Sequence, residues 1–346
     1  MTAPIEVSGS DQQAQPDAVL TGVERKAIQG RSLGQIAWMR LRRDKVAMAG
    51  GVFVLLLIVV ALPGVTDLLV RLGGSPPNEF HQNLVDPTLG SPNGSFGGIS
   101  ADHIFGIEPV NGRDLFSRIL YGARVSILIG VLATLLSVAL GTIAGILAGY
   151  FGGWIDTLIA RLMDIFLAFP LVLFAISLVG VIPNQMDILP FGPDLLHVIT
   201  LEGNGLRMAV LVFIIGFFNW PYIGRIIRGQ TLSLREREFV DAARSLGARN
   251  SHILFKEILP NLVAPILVYS TLLIPTNILF EAALSFLGVG INPPDPSWGG
   301  MLSAATELYT VAPHFVIVPG LAIFVTVLAF NLFGDGLRDA LDPRAR

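Results

Sequence analysis

The stretch Val125–Tyr150, VSILIGVLATLLSVALGTIAGILAGY, decides the fold because it contains no charged residue. A helix needs about 20 mostly apolar residues to cross a hydrocarbon core roughly 30 Å thick. The stretch exceeds that length, so it predicts a helix that spans a membrane. Small residues recur along it at a spacing that favours close contact with other helices rather than with lipid alone. The glycines among them are Gly130, Gly141, Gly145 and Gly149.

The composition of the whole chain indicates the same class of protein. Of its 346 residues, 52% are hydrophobic and 14% are charged, whereas a soluble domain carries about 25% charged residues. The net charge of −3 provides no basic surface for nucleic acid, so no such partner is expected. The chain has no cysteine, which excludes disulfides and thiolate sites. His103 and His314 stand alone in the sequence, so we expect no metal site.

Six stretches are long and apolar enough to span a membrane. They are 46–70, 122–150, 162–182, 206–224, 261–290 and 311–333. Two of them carry an acidic residue, Asp164 or Glu281, and an ionisable group inside a span needs a partner. Glu281 either contacts a transported solute or bonds a neighbouring helix, and we favour the structural role. For Asp164, a local helical ion pair with Arg161 is the simplest account.

The distribution of basic residues predicts the orientation. Seven basic residues lie between Arg25 and Lys45 and seven more in 225–260, whereas 183–205 and 291–310 contain none. Because basic loops stay in the cytoplasm, both termini and 225–260 are placed inside. The sequence therefore predicts an all-α, multi-pass protein of the bacterial cytoplasmic membrane, with six spans and both termini cytoplasmic.

The segments outside the core complete the predicted organisation. Residues 1–30 are polar and lack a signal-peptide core, so a disordered cytoplasmic tail is expected. Residues 31–45 fit either a cytoplasmic interfacial helix or a basic flank of the first span. The first transmembrane helix is assigned to 46–72 and an extracytoplasmic segment, rich in Pro, Gly and Asn, to 73–117. Residues 118–346 then form a core of five spans.

The loop 225–260, between spans four and five, is too polar to enter a bilayer. An apolar face at helical spacing is predicted for Phe239, Val240, Ala243 and Leu246. Gly247 follows, where a helix would end in the left-handed conformation that glycine adopts at little cost. A second helical pattern leads to Leu259-Pro260, where proline suits the first turn of span five. The loop is thus predicted to be two short helices joined at a glycine on the membrane surface.

The spacing of Asp241-Ala242-Ala243, Gly247 and Leu259-Pro260 resembles the cytoplasmic loop motif of ABC importer permeases, which usually begins Glu-Ala-Ala. In that family the loop docks in a groove of the ATPase subunit and transmits its closure to the membrane helices. The resemblance assigns this coupling role to Asp241, Ala242, Ala243, Arg244, Gly247, Leu259 and Pro260. Two positions depart from the pattern, since Asp241 replaces Glu and Glu257 stands where many members have Ile. The alternative is an amphipathic hairpin that lies on lipid without a partner.

Further blocks narrow the resemblance to the C-type permease of the dipeptide and oligopeptide branch. They are Gly112–Arg118, Tyr121–Ser126, Gly152–Asp156, Phe280–Gly288, Pro296–Gly299 and Asn331–Asp339. The resemblance implies a type I importer permease fold surrounded by membrane lipid. It also implies a second, homologous permease subunit forming a heterodimer, two ATP-binding domains or subunits, an extracytoplasmic solute-binding protein and a peptide substrate.

ATP hydrolysis is not expected of this chain. A phosphate-binding loop needs a lysine followed by Ser or Thr, but the three lysines precede Ala27, Val46 and Glu257. No cofactor is therefore expected here, and the resemblance places ATP and magnesium on the partner ATPase subunits. The alternating charges of Arg235–Glu238 indicate a solvated face or a contact with the ATPase rather than a catalytic pair.

Other transport classes fit less well. A secondary transporter would show paired ionisable residues at mid-membrane, and a channel would show a polar filter. An ABC exporter permease is the nearest rival, although it commonly has a fused ATPase or a different coupling loop. The solute stays open, because systems related to the peptide importers carry nickel, haem or other small molecules.

Overall fold

The computed structural model describes residues 33–179, 185–188 and 199–342, which form a helical bundle. The helices are α1 (Leu33–Leu41), α2 (Lys45–Val60), α3 (Pro63–Gly73), α4 (Leu115–Phe151), α5 (Gly153–Ala168), α6 (Leu171–Val179), α7 (Gly203–Arg235), α8 (Glu238–Ser245), α9 (Asn250–His252), α10 (Leu259–Phe286), α11 (Trp298–Ala305) and α12 (His314–Leu341). Single 3₁₀ turns lie at Gln82–Leu84 and Ser95–Gly97, and a π-helical segment, Ile253–Ile258, joins α9 to α10. The predicted tail, residues 1–30, lies outside the described residues.

One part of the described chain departs from the predicted all-α fold. The strands β1 (Gln185–Ile188) and β2 (Ile199–Glu202) pair antiparallel between α6 and α7, in a register that places Gln185 opposite Glu202. Everything else that has regular structure in the described ranges is helical. The pair of strands is short, so the class of the fold is unchanged.

Within the described ranges, four helical stretches are long and apolar enough to cross a membrane: α4, α7, Asn250–Phe286 and α12. Two bent pairs, α2 with α3 and α5 with α6, meet the same criterion when each pair is taken together. The protein therefore has four to six spans, and the six predicted stretches all fall on these helices or pairs. The predicted count of six is the upper end of this range.

The predicted first span is not one straight helix. The chain bends by 86° between α2 and α3, and Leu62 at the bend is extended (φ −68°, ψ 133°). Pro63 causes this because a proline ring disfavours helical geometry in the preceding residue. The Thr66 hydroxyl donates to the carbonyl oxygens of Val60 at 2.5 Å and Leu62 at 3.2 Å. These bonds satisfy carbonyls that the break would leave unpaired.

The predicted third span, 162–182, was wrong in its start and in its continuity. Helix α5 begins at Gly153, and the chain bends by 76° between α5 and α6. Phe169 at this bend is extended (φ −77°, ψ 126°), for the same reason as above, since Pro170 follows. The first turns of α5 carry charged side chains that find partners on α7, which a hydropathy window cannot show.

The glycines of α4 pack against other helices, as the sequence predicts. A Cβ atom on Gly141 would lie 2.7 Å from the Trp220 carbonyl oxygen, and one on Gly145 would lie 2.7 Å from that of Gly224. Gly149 meets Thr231 at 2.6 Å in the same way. The contacts advance in step, so α4 and α7 run parallel with their backbones almost touching. Only residues without a side chain permit this approach.

The bundle has two distinct ends. At one, the loop end, Tyr150 at the close of α4 bonds Asn250, and the guanidinium of Arg40 donates to the carbonyl oxygen of Asp342 at 2.7 Å. At the other, the cap end, residues 74–114 (the cap segment) meet the α10–α12 connection, where Arg118 donates to the Pro294 carbonyl oxygen at 3.2 Å. Helices α1, α8 and the C-terminus of α12 therefore share the loop end.

Candidate functional site

Helix α8 at the loop end is closed by Gly247, as predicted. Gly247 has φ +82°, the left-handed region that favours glycine. Its N–H donates to the carbonyl oxygen of Arg244 at 3.0 Å, and the N–H of Ala248 donates to that of Ala243 at 3.0 Å. This pair of bonds is a Schellman motif, which satisfies the last carbonyls of the helix. Asp241 near its start and Arg244 near its end also suit the helix dipole.

The buried face of α8 is narrower than the sequence predicts. Val240 is fully buried beside Ile253 and Ile258, and Ala243 is partly covered. Leu246, however, is 89% exposed, so its assignment to the buried face was wrong. It belongs to the tip that Gly247 creates, where the chain has already left the helix axis.

The exposed surface of α8, which we call the tip surface, carries most of the predicted coupling residues. Asp241, Ala242, Arg244, Leu246 and Gly247 are all exposed. Asp241 and Arg244 form an exposed ion pair at 3.2 Å, and such pairs contribute at most about 1 kcal/mol. The tip surface thus combines one large apolar side chain with a solvated ion pair and small residues that leave the backbone open.

The second half of the predicted loop is not a separate short helix. Asn250–Phe286 is one helix of 37 residues, because the π-helical segment continues directly into α10. Ile253 and Ile258 bury this segment in the same cluster as Val240. Leu259 is partly buried, and Pro260 is exposed in the first turn of α10, where its missing N–H costs little. Contact with α8 is therefore transmitted straight into a spanning helix.

Side chains that the motif did not single out hold this region to the end of α4. The Tyr150 hydroxyl donates to Asn250 Oδ1 at 2.9 Å. Arg235 Nη1 donates to the carbonyl oxygens of Gly149 and Tyr150, both at 3.3 Å. The partners lie 85 to 100 residues apart in sequence. Sequence spacing within one helix could not indicate them.

Two ion pairs join α5 to α7 near the loop end. Arg228 forms a bidentate pair with Asp156, in which Nη2 lies 2.7 Å from Oδ2. Asp164 lies 2.5 Å from Arg225 of α7 and 3.7 Å from Arg161 of its own helix. The expected local pair is therefore the weaker contact of Asp164, because α5 lies alongside α7. Asp164 serves as a tie between helices.

Glu281 lies inside the bundle, fully buried, on α10. One carboxyl oxygen accepts a hydrogen bond from the Ser285 hydroxyl at 2.7 Å. The other faces the Ser126 hydroxyl of α4 without hydrogen-bond geometry. One turn earlier, the Asn277 side chain donates to Thr134 of α4 at 2.9 Å. This row of polar contacts between α10 and α4 favours the structural role for Glu281.

The cap end holds charged groups that the sequence did not single out as a cluster. Arg113 donates twice to Glu108, at 2.7 Å each, and Arg118 Nε lies 3.3 Å from the same carboxylate. His103 is not alone, because its Nδ1 lies 2.8 Å from Asp114. His314 Nε2 donates to the Ile107 carbonyl oxygen at 3.0 Å. Among the described residues no group of three His, Cys, Asp or Glu could hold a metal ion.

Comparison with known proteins decides the family. Residues 141–346 match the binding-protein-dependent transport system inner membrane component family. The chain belongs to this family. Residues 32–70 also match the N-terminal transmembrane domain of oligopeptide transport permease C. The permease is thus a non-catalytic, multi-pass subunit of an ATP-driven importer in the inner membrane, and ATP hydrolysis lies in separate subunits. The family implies a partner permease, ATPase subunits and a binding protein.

Similar proteins in the same family carry a specific description. The permease is 42% identical over 309 residues to the glutathione transport system permease protein GsiD of Shigella flexneri serotype 5b, covering 89% of this chain and 90% of that protein. The protein of the same description from Escherichia coli O157:H7 is 41% identical over the same length. Among solved structures, an inward-facing MetNI methionine ABC transporter covers 66% of this chain and 98% of its own, at 15% identity and a TM-score of 0.47.

Proposed function

We propose that the permease imports peptides and is driven through its tip surface and Gly247. The observation that carries the proposal is the continuity between this surface and α10. Val240 of α8 packs on Ile253 and Ile258, which belong to the same helix as Glu281. A push on α8 from an ATPase subunit would therefore move α10 as a rigid lever, together with the polar row that joins it to α4.

The same proposal places the loop end in the cytoplasm and the cap end outside. Arginines concentrate at the loop end, around α1, α7 and α8, which fits the positive-inside rule. The α1 helix would then lie in the cytoplasmic interface and the cap segment would be extracytoplasmic. A second, homologous permease would complete the pathway as a heterodimer, two ATPase domains would bind below, and the solute-binding protein would dock on the cap end.

A peptide is the substrate class that the relatives support. Glutathione, named for the GsiD proteins, is a small peptide, and they align with nine-tenths of this chain. The match of residues 32–70 to oligopeptide transport permease C points to the same class. The Asp241, Ala242, Ala243, Arg244, Leu259 and Pro260 side chains would form or support the ATPase contact.

A test of the proposal is the substitution Gly247→Val in the complete transporter reconstituted in liposomes. A β-branched residue at φ +82° is strained and would unwind the Schellman motif. We expect peptide uptake to fall at least about tenfold, while the permease still inserts and ATP hydrolysis loses its dependence on substrate. The matched control is Gly320→Val in α12, where an added Cβ meets nothing within 4 Å. Normal uptake by the Gly247 variant would refute the coupling role.

A further inference from the structure

A cavity of about 540 Å³ opens at the cap end of the permease. Its walls come from four separate parts of the chain: the cap segment with the start of α4, the end of α10, the connection that follows, and α11 with the chain leading into α12. Ligand pockets typically have volumes of about 300–1,000 Å³ and combine an apolar lining with a few placed polar groups. The cavity therefore has the size for a small solute.

The positive charges of this cavity are already engaged. Arg113 is bonded twice to Glu108, and Arg118 Nη1 donates to three oxygens, those of Pro77, Asn78 and Pro294. These guanidinium groups therefore serve as wall rather than as a site for an anion. One donor remains, because Arg118 Nε makes no hydrogen bond although the residue is only 5% exposed.

The negative charges of the cavity are only partly engaged. Asp295 accepts a hydrogen bond from the Asn204 side chain at 2.8 Å and is otherwise exposed. Glu307 lines the cavity and makes no hydrogen bond or ion pair with the described residues. Apolar side chains form the floor, where Met301 and Phe315 are almost fully buried. The cavity thus offers carboxylates at its mouth, an apolar floor and one buried N–H.

We propose that this cavity binds the amino-terminal end of a short peptide before it enters the pathway. The ammonium group of the peptide would contact Glu307 and Asp295, its first side chain would lie on Met301 and Phe315, and a peptide carbonyl would accept from Arg118 Nε. The inference rests on the proposed peptide import. It adds a requirement for a free amino terminus, which peptide import alone does not carry.

The absence of cysteine from the chain allows a direct test. Ser303 lines the cavity, so Ser303→Cys in the full transporter is labelled with a membrane-impermeant maleimide in right-side-out vesicles washed free of binding protein. The probes are Phe-Ala-Ala and its N-acetylated form. We expect saturating Phe-Ala-Ala to slow labelling about tenfold and the acetylated peptide to leave it unchanged.

Variants then assign the effect. Glu307→Gln should raise the half-protecting concentration of Phe-Ala-Ala about tenfold, the value of one charge-assisted hydrogen bond. Asp102→Asn, an exposed cap-segment acid that does not line the cavity, should leave it unchanged. No protection by Phe-Ala-Ala, equal protection by the acetylated peptide, or equal behaviour of the two variants would overturn the inference. Since labelling needs no ATP, Gly247→Val should retain protection, and a failed coupling role would be seen separately.

Discussion

Leu246 and Gly247 together shape the tip of α8. The left-handed backbone of Gly247 turns the chain away from the helix axis, and Leu246 is left 89% exposed in front of it. A large apolar side chain held in water at the end of a rigid turn is typical of a contact residue. Its burial against a partner would release the apolar surface that the isolated chain exposes.

The substitution Leu246→Asp should therefore weaken the association with the ATPase subunits. Loss of a buried leucine and burial of a charge together cost at least about 2 kcal/mol, a factor of about 30 in affinity. The measurement is the amount of ATPase subunit that co-purifies with the permease in mild detergent. The control is Leu89→Asp at the cap end, where leucine is 70% exposed. Equal recovery of ATPase with both variants would contradict the assignment.

At the scale of elements, α5 is fastened to α7 by ion pairs of unequal environment. The Asp156–Arg228 pair is bidentate and its side chains are 20% and 33% exposed, whereas Arg161 is 77% exposed and lies 3.7 Å from its partner. Partly buried charged hydrogen bonds contribute more than exposed pairs, for which the gain is close to zero. The position of α5 should therefore depend mainly on Asp156.

We expect Asp156→Ala to destabilise the permease by about 1–2 kcal/mol, since it leaves Arg228 without its partner. The apparent Tm in detergent should fall by roughly 2–4 °C. Arg161→Gln on the same helix should change it by less than about 1 °C. Equal shifts for the two variants would show that the bidentate pair does not fasten α5.

The parallel contact of α4 with α7 depends on the glycines of α4. At Gly145 a Cβ atom would lie 2.7 Å from the Gly224 carbonyl oxygen and 3.0 Å from the Arg228 nitrogen. Both are backbone atoms, which cannot rotate away as a side chain could. The two helices would have to separate to accept any larger residue.

Gly145→Leu should cost about 1–3 kcal/mol or more through overpacking. We expect the amount of monodisperse permease extracted from membranes to fall severalfold, as measured by fluorescence-detected size exclusion. Ala139→Leu adds similar bulk on an exposed position of the same helix and should be tolerated. If both variants were extracted equally well, the close approach would not be needed for folding.

At the scale of the whole molecule, the two ends of the bundle should lie on opposite sides of the membrane. Ser100 in the cap segment and Ser251 beside the π-helical segment are both exposed, and the chain has no cysteine of its own. An impermeant maleimide should label Ser100→Cys in intact cells after removal of any outer barrier. Ser251→Cys should react only after the inner membrane is permeabilised. The reverse pattern would invert the proposed orientation.

Much of this architecture follows from the sequence alone. The charge-free run of α4, the concentration of arginines around 225–260 and the glycine at 247 are local signals. They predict spanning helices, a relative orientation and a helix end because each depends on composition or backbone conformation within a few residues. The bends at Pro63 and Pro170 carried a local signal as well, but long apolar runs concealed them.

Other features were decided only by tertiary structure. Periodicity shows which residues share a helix face, but it does not show which face a neighbour covers, so Leu246 was assigned to the wrong side. The partners of Asp164 and Arg118 lie 61 and 176 residues away in the chain. The continuity of α9 with α10 depends on burial of Ile253 and Ile258 against α8. Such contacts depend on how distant helices pack, and local sequence does not contain that information.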